Sequence, residues 1–193
     1  KAGAHVNALG GIDYSALAIA ACNDNLDCVR ALVRAKAEAE IHNYDGDTAL
    51  MEAVYKDNID VVRELISARA DVDARGLDNH TALSLALSAQ VADALIAAHA
   101  DVNARDKTDS TPLMSAIQLR RSGVLNTLLE AEAAVNVKDL TGMSALLYSL
   151  QAHYEYLRVD KDTVKALLKA KAHVAGTDEN GYSALHLAVK NCR

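Results

Sequence analysis

Six short segments of this 193-residue chain open in the same way, with Ser or Thr, then Ala or Pro, then Leu: SALAIA from Ser15, TALMEA from Thr48, TALSLA from Thr81, TPLMSA from Thr111, SALLYS from Ser144 and SALHLA from Ser183. Their starts lie 33, 33, 30, 33 and 39 residues apart. A second series keeps step with the first: AHVNA at 4–8, ADVDA at 70–74, ADVNA at 100–104, AAVNV at 133–137 and AHVAG at 172–176, with AEAEI at 37–41 as a degenerate member. Two motifs in phase at one period mean copies of one supersecondary unit laid side by side. A unit this short cannot bury an apolar face alone, so neighbours must cover it and stability resides in nearest-neighbour interfaces.

Each unit reads as a helix–turn–helix followed by a tight turn. The opening Ser or Thr can accept a hydrogen bond from an orphan amide of the first helical turn. A short apolar helix follows, then a polar turn such as Tyr55-Lys56-Asp57-Asn58, then a second helix with Val61, Val62, Leu65 and Ile66 on one face. The spacing predicts helix pairs near 15–21 and 27–35, 48–54 and 60–68, 81–88 and 91–98, 111–119 and 123–131, and 144–152 and 162–170, with a last helix from Ser183. Leu17, Leu50, Leu83, Leu113, Leu146 and Leu185 are expected to be buried between neighbours. The chain has one Pro and no Phe or Trp, which suits closely packed helices of Ala, Leu and Val.

The period and the T-P-L-H-x-A-like segments resemble the ankyrin repeat family. The resemblance implies an all-α solenoid of stacked helix–turn–helix units with β-turn fingers, L-shaped in section, whose concave face binds protein. It divides the chain into a single array: a partial repeat at 1–9, repeats near 10–42, 43–75, 76–105, 106–138 and 139–177, and a partial repeat at 178–193. The abrupt ends suggest a piece of a longer array or protein. The resemblance also marks Asn103 and Asn136 as positions where animal members accept asparaginyl hydroxylation; the plainer reading is that these side chains bond backbone.

The sequence departs from the family pattern in four places. Only His186 keeps the His of T-P-L-H; Ala18, Met51, Ser84, Met114 and Leu147 replace it elsewhere. The Gly that usually ends the second helix is present as Gly3 and then becomes Lys36, Arg69, His99, Glu132 and Lys171. If those residues are left-handed, each costs up to ~1 kcal/mol relative to Gly. The third repeat is three residues short, which is expected to remove the turn around Ser88-Ala89-Gln90-Val91. The fifth is six residues longer than the period, with the extra length at 151–160, and Tyr154 and Tyr156 there read as a loop extension or a contact arm.

Signals for chemistry are absent. His5, His42, His80, His99, His153, His173 and His186 are scattered without ligand spacing, and no phosphate-cradling Gly-rich motif occurs. Asp24, Asp27, Asp57 and Asp60 read as capping or dipole partners at inter-helix turns. No catalytic residue, cofactor or metal is expected. The net charge of −6 is interspersed, without the basic block that marks nucleic-acid binding, and no apolar run is long enough for a membrane span. Cys22, Cys28 and Cys192 lack pair spacing, so free thiols inside the cell, in the cytoplasm before nucleus or organelle, are expected.

The expected function is a protein-binding scaffold or adaptor; the alternative is a regulatory or targeting segment of a larger enzyme whose catalytic domain lies outside these residues. The resemblance places the contact surface on finger tips and the exposed side of the first helices. There the sequence puts Tyr14, Tyr44, Asp45, Asp47, Tyr55, Leu77, His80, Leu140, Met143 and Tyr182. Tyr148 alone among the tyrosines reads as core. A Tyr/Leu/Met strip with an acidic end suits a protein partner of some basic character, because interfaces are enriched in Tyr and exposed apolar strips are rarely left in water.

Overall fold

The computed structural model describes residues 5–151 and 159–191. Gly3, the inserted Tyr154 and Tyr156, and Cys192 lie outside the described residues. Among the described residues, eleven α-helices follow one another: α1 (Ala16–Cys22), α2 (Leu26–Arg34), α3 (Ala49–Tyr55), α4 (Ile59–Ser67), α5 (Ala82–Leu85), α6 (Ala89–Ala97), α7 (Pro112–Gln118), α8 (Ser122–Glu130), α9 (Ala145–Leu150), α10 (Lys161–Lys169) and α11 (Ala184–Asn191). No strand forms among them, only the isolated bridges Leu9–Ser15, Lys138–Ser144 and Thr177–Ser183. The chain divides into two compact units, Lys1–Ala104 and Arg105–Arg193.

In the first unit α1, α3 and α5 lie side by side in one layer, and α2, α4 and α6 in another. In the second unit α7, α9 and α11 form the first layer and α8 and α10 the other. The helix starts follow the expected chemistry. Ser15 Oγ accepts from the Ala18 amide at 3.1 Å, and Thr48, Thr111 and Ser144 do the same for Met51, Met114 and Leu147 at 3.4 Å. Pro112 takes the first helical position of α7, where its missing N–H costs nothing. His186 Nδ1 lies 2.8 Å from Ser183 Oγ, and Ser84 does related work in its repeat, accepting from the Thr81 amide at 3.2 Å and donating to the Thr81 carbonyl at 2.8 Å.

The second helices begin differently from expectation. Asn25 and Asn58, not the neighbouring aspartates, cap α2 and α4: their Oδ1 atoms accept from Cys28 at 3.1 Å and Val61 at 3.1 Å. Asp24 and Asp57 instead take left-handed backbone, and each accepts from the next repeat, Asp24 from Asn58 and Asp57 from Ser88 Oγ at 2.6 Å. Asp27 and Asp60 sit in first helical turns, where the dipole favours them.

Lys36, Arg69, His99, Glu132 and Lys171 have φ of 61°, 66°, 68°, 58° and 64°. These side chains do occupy the left-handed place that Gly usually fills. No contact explains the choice of Glu132.

Of the six inner leucines, Leu17, Leu50, Leu83, Leu113 and Leu146 are sealed from solvent. Leu185 is not: it is 73% exposed, with Val189 beside it on the same flank of α11. Ala184 and Leu187 are the residues of α11 that turn inward, and no described helix pair covers the Leu185 flank. The short third repeat also corrects the sequence reading. Ser88 caps α6 and residues 89–91 are helical, so the missing length comes from α5, which is four residues long where α3 and α7 have seven.

Candidate functional site

Every finger is a five-residue turn built to one plan, at residues 10–14, 43–47, 76–80, 106–110, 139–143 and 178–182. The first residue's amide donates to the fifth residue's carbonyl, as from Asn43 to Asp47 at 2.9 Å and from Gly76 to His80 at 3.0 Å. The fourth residue is left-handed: Asp13, Gly46, Asn79, Asp109, Gly142 or Gly181. Where the first residue is Asn or Asp, its carboxyl or amide oxygen also accepts from the turn's own amides, as Asn43 does from Asp47 at 2.8 Å and Asp139 from Met143 at 2.9 Å.

This plan separates two positions that the sequence reading treated alike. The second residue is the tip. Tyr44, Leu77 and Leu140 hold it and are 73%, 74% and 68% exposed. The fifth residue turns back into the repeat. Met143 is 5% exposed, so it is a core residue and not part of an exposed strip. Tyr14 is half-buried and donates its hydroxyl to Glu52 Oε1 at 2.9 Å. Asp47 Oδ1 and His80 Nε2 meet at 2.7 Å, binding one finger to the next. Tyr182 is a fifth residue that stays partly exposed, its ring edge-on to His186 and 5.3 Å from Lys190 Nζ. Asp45 and Tyr55 are exposed as expected.

In the first unit the two apolar tips stand on adjoining fingers. A Cβ at Gly46 would lie 2.6 Å from the Leu77 nitrogen, so the finger of Tyr44 rests directly on the backbone of Leu77. The Asp47–His80 contact closes the same seam. In the second unit Leu140 has a similar setting: its amide donates to the Thr108 carbonyl at 3.0 Å, and the Glu179 amide donates to Thr141 at 3.0 Å.

Two further ladders hold successive fingers together, of which only the Asn136 rung was expected from the sequence. The residue before three of the fingers reaches the same place one repeat on: His42 Nε2 lies 3.2 Å from the Arg75 carbonyl, Arg105 Nη2 donates to Lys138 O at 2.5 Å, and Lys138 Nζ donates to Thr177 O at 2.7 Å. At the finger base, Asn7 accepts from the Glu38 amide, Glu40 from Asp71, Asp73 from Asp101 and Asn136 from His173. Asn136 thus bonds backbone, as its plainer reading had it. The signal for these ladders was the repeat offset itself, which places acceptor-bearing and basic side chains in recurring positions.

A second missed residue is Glu52. It is 8% exposed on α3 and accepts from Tyr14 and from Asn43 Nδ2 at 2.7 Å. A lone carboxylate in an otherwise apolar helix was its only mark. The hydrogen bond to Glu52, with burial behind it, pushes the Tyr14 phenol up to about 12. Burial, with Glu52 beside it, raises the Cys22 thiol above its usual range. In the second unit, burial and a hydrogen bond to Asp139 push Tyr148 up to about 12, so this ring is half-buried and polar-anchored rather than plain core.

Tyr148 also lines a cleft of about 580 Å³ with Gln118, Arg120, Arg121, Asp160 and Thr163. Its polar groups are engaged locally: Asp160 caps α10, and the Thr163 hydroxyl donates to it at 2.7 Å, holding the carboxyl below its usual range. No group of three or more His, Cys, Asp or Glu side chains gathers as a metal site among the described residues. No described helix is long and apolar enough to cross a membrane. Charge is unevenly shared: residues 1–104 carry sixteen acidic against eight basic side chains, and residues 105–193 ten against twelve.

A family model described as ankyrin repeats in three copies matches residues 2–76 and again residues 70–139. Among solved structures, the ankyrin repeat domain of Bcl-3, described as a unique member of the IkappaB protein family, is 29% identical with a TM-score of 0.79, over 91% of this chain and 79% of that one. EF0377, an ankyrin repeat protein, is 20% identical with a TM-score of 0.82, over 91% and 90% of the two chains. Comparison with curated proteins returns no match.

Proposed function

Because the chain belongs to the ankyrin repeat family, we propose that it works by binding another protein and carries out no catalysis of its own, the first unit meeting its partner through the finger tips Tyr44 and Leu77 and the helix end at Tyr55. One observation carries this reading. Two adjoining fingers lock to each other through Gly46, Asp47 and His80, and each holds out a large apolar side chain that makes no use of the lock. A rigid pair of exposed apolar anchors is what an interface needs, since little ordering entropy remains to be lost on binding. The acidic excess of residues 1–104, with Asp45 exposed beside Tyr44, favours a partner of basic character through steering and register. Leu140 offers a further anchor in the second unit. The thiols of Cys22 and Cys28 are free, which supports placing the protein inside the cell.

The test is capture of partners with the intact protein, reconstitution of the interaction with a purified partner, and repetition with Tyr44→Ala/Leu77→Ala. Loss of affinity with unchanged melting supports the reading. Equal binding by the double variant, or protection of the second helices with the tips left in solvent, would overturn it.

A further inference from the structure

The shortened third repeat leaves a step in the first-helix layer of the first unit. α3 runs seven residues to Tyr55, while its neighbour α5 stops after four, at Leu85. Tyr55 therefore has no last turn of α5 beside it. One repeat earlier Cys22 holds the same position, has the last turn of α3 next to it, and is half-buried; Tyr55 is 61% exposed. The link that leaves α5 returns to this edge. Ser88 Oγ donates to Asp57 Oδ1 at 2.6 Å, and Leu87, one residue before it, is exposed. The edge of the step thus carries an exposed aromatic ring at Tyr55, an exposed aliphatic residue at Leu87 and the Asp57 carboxylate.

Charge selects the occupant. Along this edge the inter-helix turns carry Asp24 and Asp57 against Lys56, and the helix starts that follow add Asp27 and Asp60. We propose that the step receives an arginine side chain of the partner protein, its guanidinium over the Tyr55 ring and its N–H fork on Asp57. A carboxylate that already accepts from Ser88 retains acceptor sites for more. The planar, weakly hydrated guanidinium stacks on an aromatic face while its aliphatic stem lies along an apolar neighbour, here Leu87, and an ammonium offers neither the plane nor the fork. The inference rests on the reading that the first unit binds protein on this face, and it assigns the chemistry of one contact there.

Nuclear magnetic resonance titration of the full chain tests it, with a Gly/Ser decapeptide carrying two arginines and its citrulline twin as probes. The arginine peptide is expected to shift the Tyr55, Asp57 and Leu87 resonances, and the neutral twin to leave them in place. Tyr55→Ala should weaken this binding about tenfold, Tyr55→Phe should keep it, and insertion of Gln, Lys and Asp between Leu87 and Ser88, which restores the missing length, should remove it. Tyr44→Ala/Leu77→Ala should leave the arginine response unchanged. Equal response to the citrulline peptide, equal binding by Tyr55→Ala, or no shift at Tyr55 overturns the proposal. With a natural partner, loss on the finger variant but not on Tyr55→Ala would discard this contact and leave the finger reading standing.

Discussion

The Tyr14 hydroxyl donates to Glu52 Oε1 across an interval of 38 residues, tying the first finger of the first unit to the helix of the next repeat. Glu52 is buried, and Asn43 supplies a further hydrogen bond to it. Removal of the Tyr14 hydroxyl therefore leaves a buried carboxylate short of a donor. Tyr14→Phe is expected to lower stability by about 1–2 kcal/mol in chemical denaturation, with no change in helicity. Tyr44→Phe, at an exposed tip, should change stability by no more than about 0.5 kcal/mol.

The same hydrogen bond predicts alkaline sensitivity. The phenol is held protonated in the fold, with its pKa raised from 10 to about 12, and Tyr148 is raised to the same value by burial and Asp139. A group raised in the folded state contributes stability that is whole below its unfolded pKa and fades as pH climbs through the folded one. Stability should thus fall between about pH 10 and 12 through these two groups. Tyr14→Phe/Tyr148→Phe should start lower and decline less steeply over that window. Parallel slopes for the two proteins would refute the assignment.

The left-handed helix ends give a third prediction. Lys36, Arg69, His99, Glu132 and Lys171 all carry a Cβ at positive φ, where L-residues are strained. Each change to Gly should raise stability by up to ~1 kcal/mol, less the entropy Gly adds to the unfolded chain. Thermal melts of single and combined variants measure this, and a lower melting temperature for the Gly variants would count against it.

The array pattern also separates two leucines at one motif position. Leu50 is enclosed between helices, whereas Leu185 is 73% exposed on α11. Leu50→Ala should cost about 2–5 kcal/mol through lost burial and the cavity left behind. Leu185→Ala should cost no more than about 0.5 kcal/mol. Equal costs at the two sites would mean that the flank of α11 is covered in solution.

The fold was legible because two motifs recur in phase: the period and its opening Ser or Thr placed Ser15, Thr48, Thr111 and Ser144 at helix starts, and the family resemblance placed Lys36, Arg69, His99, Glu132 and Lys171 at helix ends. What escaped was orientation within a unit. Nothing local distinguishes Leu140 from Met143, both apolar and three residues apart in one finger; the turn's hydrogen bonds send the first outward and the second into the core. Asp57 looked like a helix cap because it precedes one, but Asn58 is one residue closer and takes the role. The third repeat's deletion was visible in its length, yet its place was not: Ser88 is a strong cap, so α6 kept its start and α5 lost its end.

A matched pair of glycines tests whether the seam between fingers sets the candidate surface. Gly46 and Gly181 both occupy the fourth finger position, with φ of 77° and 78°. A Cβ at Gly181 meets nothing within 4 Å, while one at Gly46 would stand 2.6 Å from the Leu77 nitrogen and 3.0 Å from its Cα and Cβ. Left-handed strain is common to both sites, so Gly181→Ala measures that cost alone, about 1 kcal/mol. Gly46→Ala adds a collision with backbone, which cannot rotate away as a side-chain tip could, and its cost should exceed the Gly181 value by about 1 kcal/mol or more. The collision also pushes the finger of Leu77 from that of Tyr44 and strains the Asp47–His80 contact. Partner affinity should then fall for Gly46→Ala at temperatures where the variant remains folded, although neither exposed anchor is itself replaced. Equal melting temperatures for the two variants, or full affinity in Gly46→Ala, would show that the fingers move independently and that their locked pairing does not shape the surface.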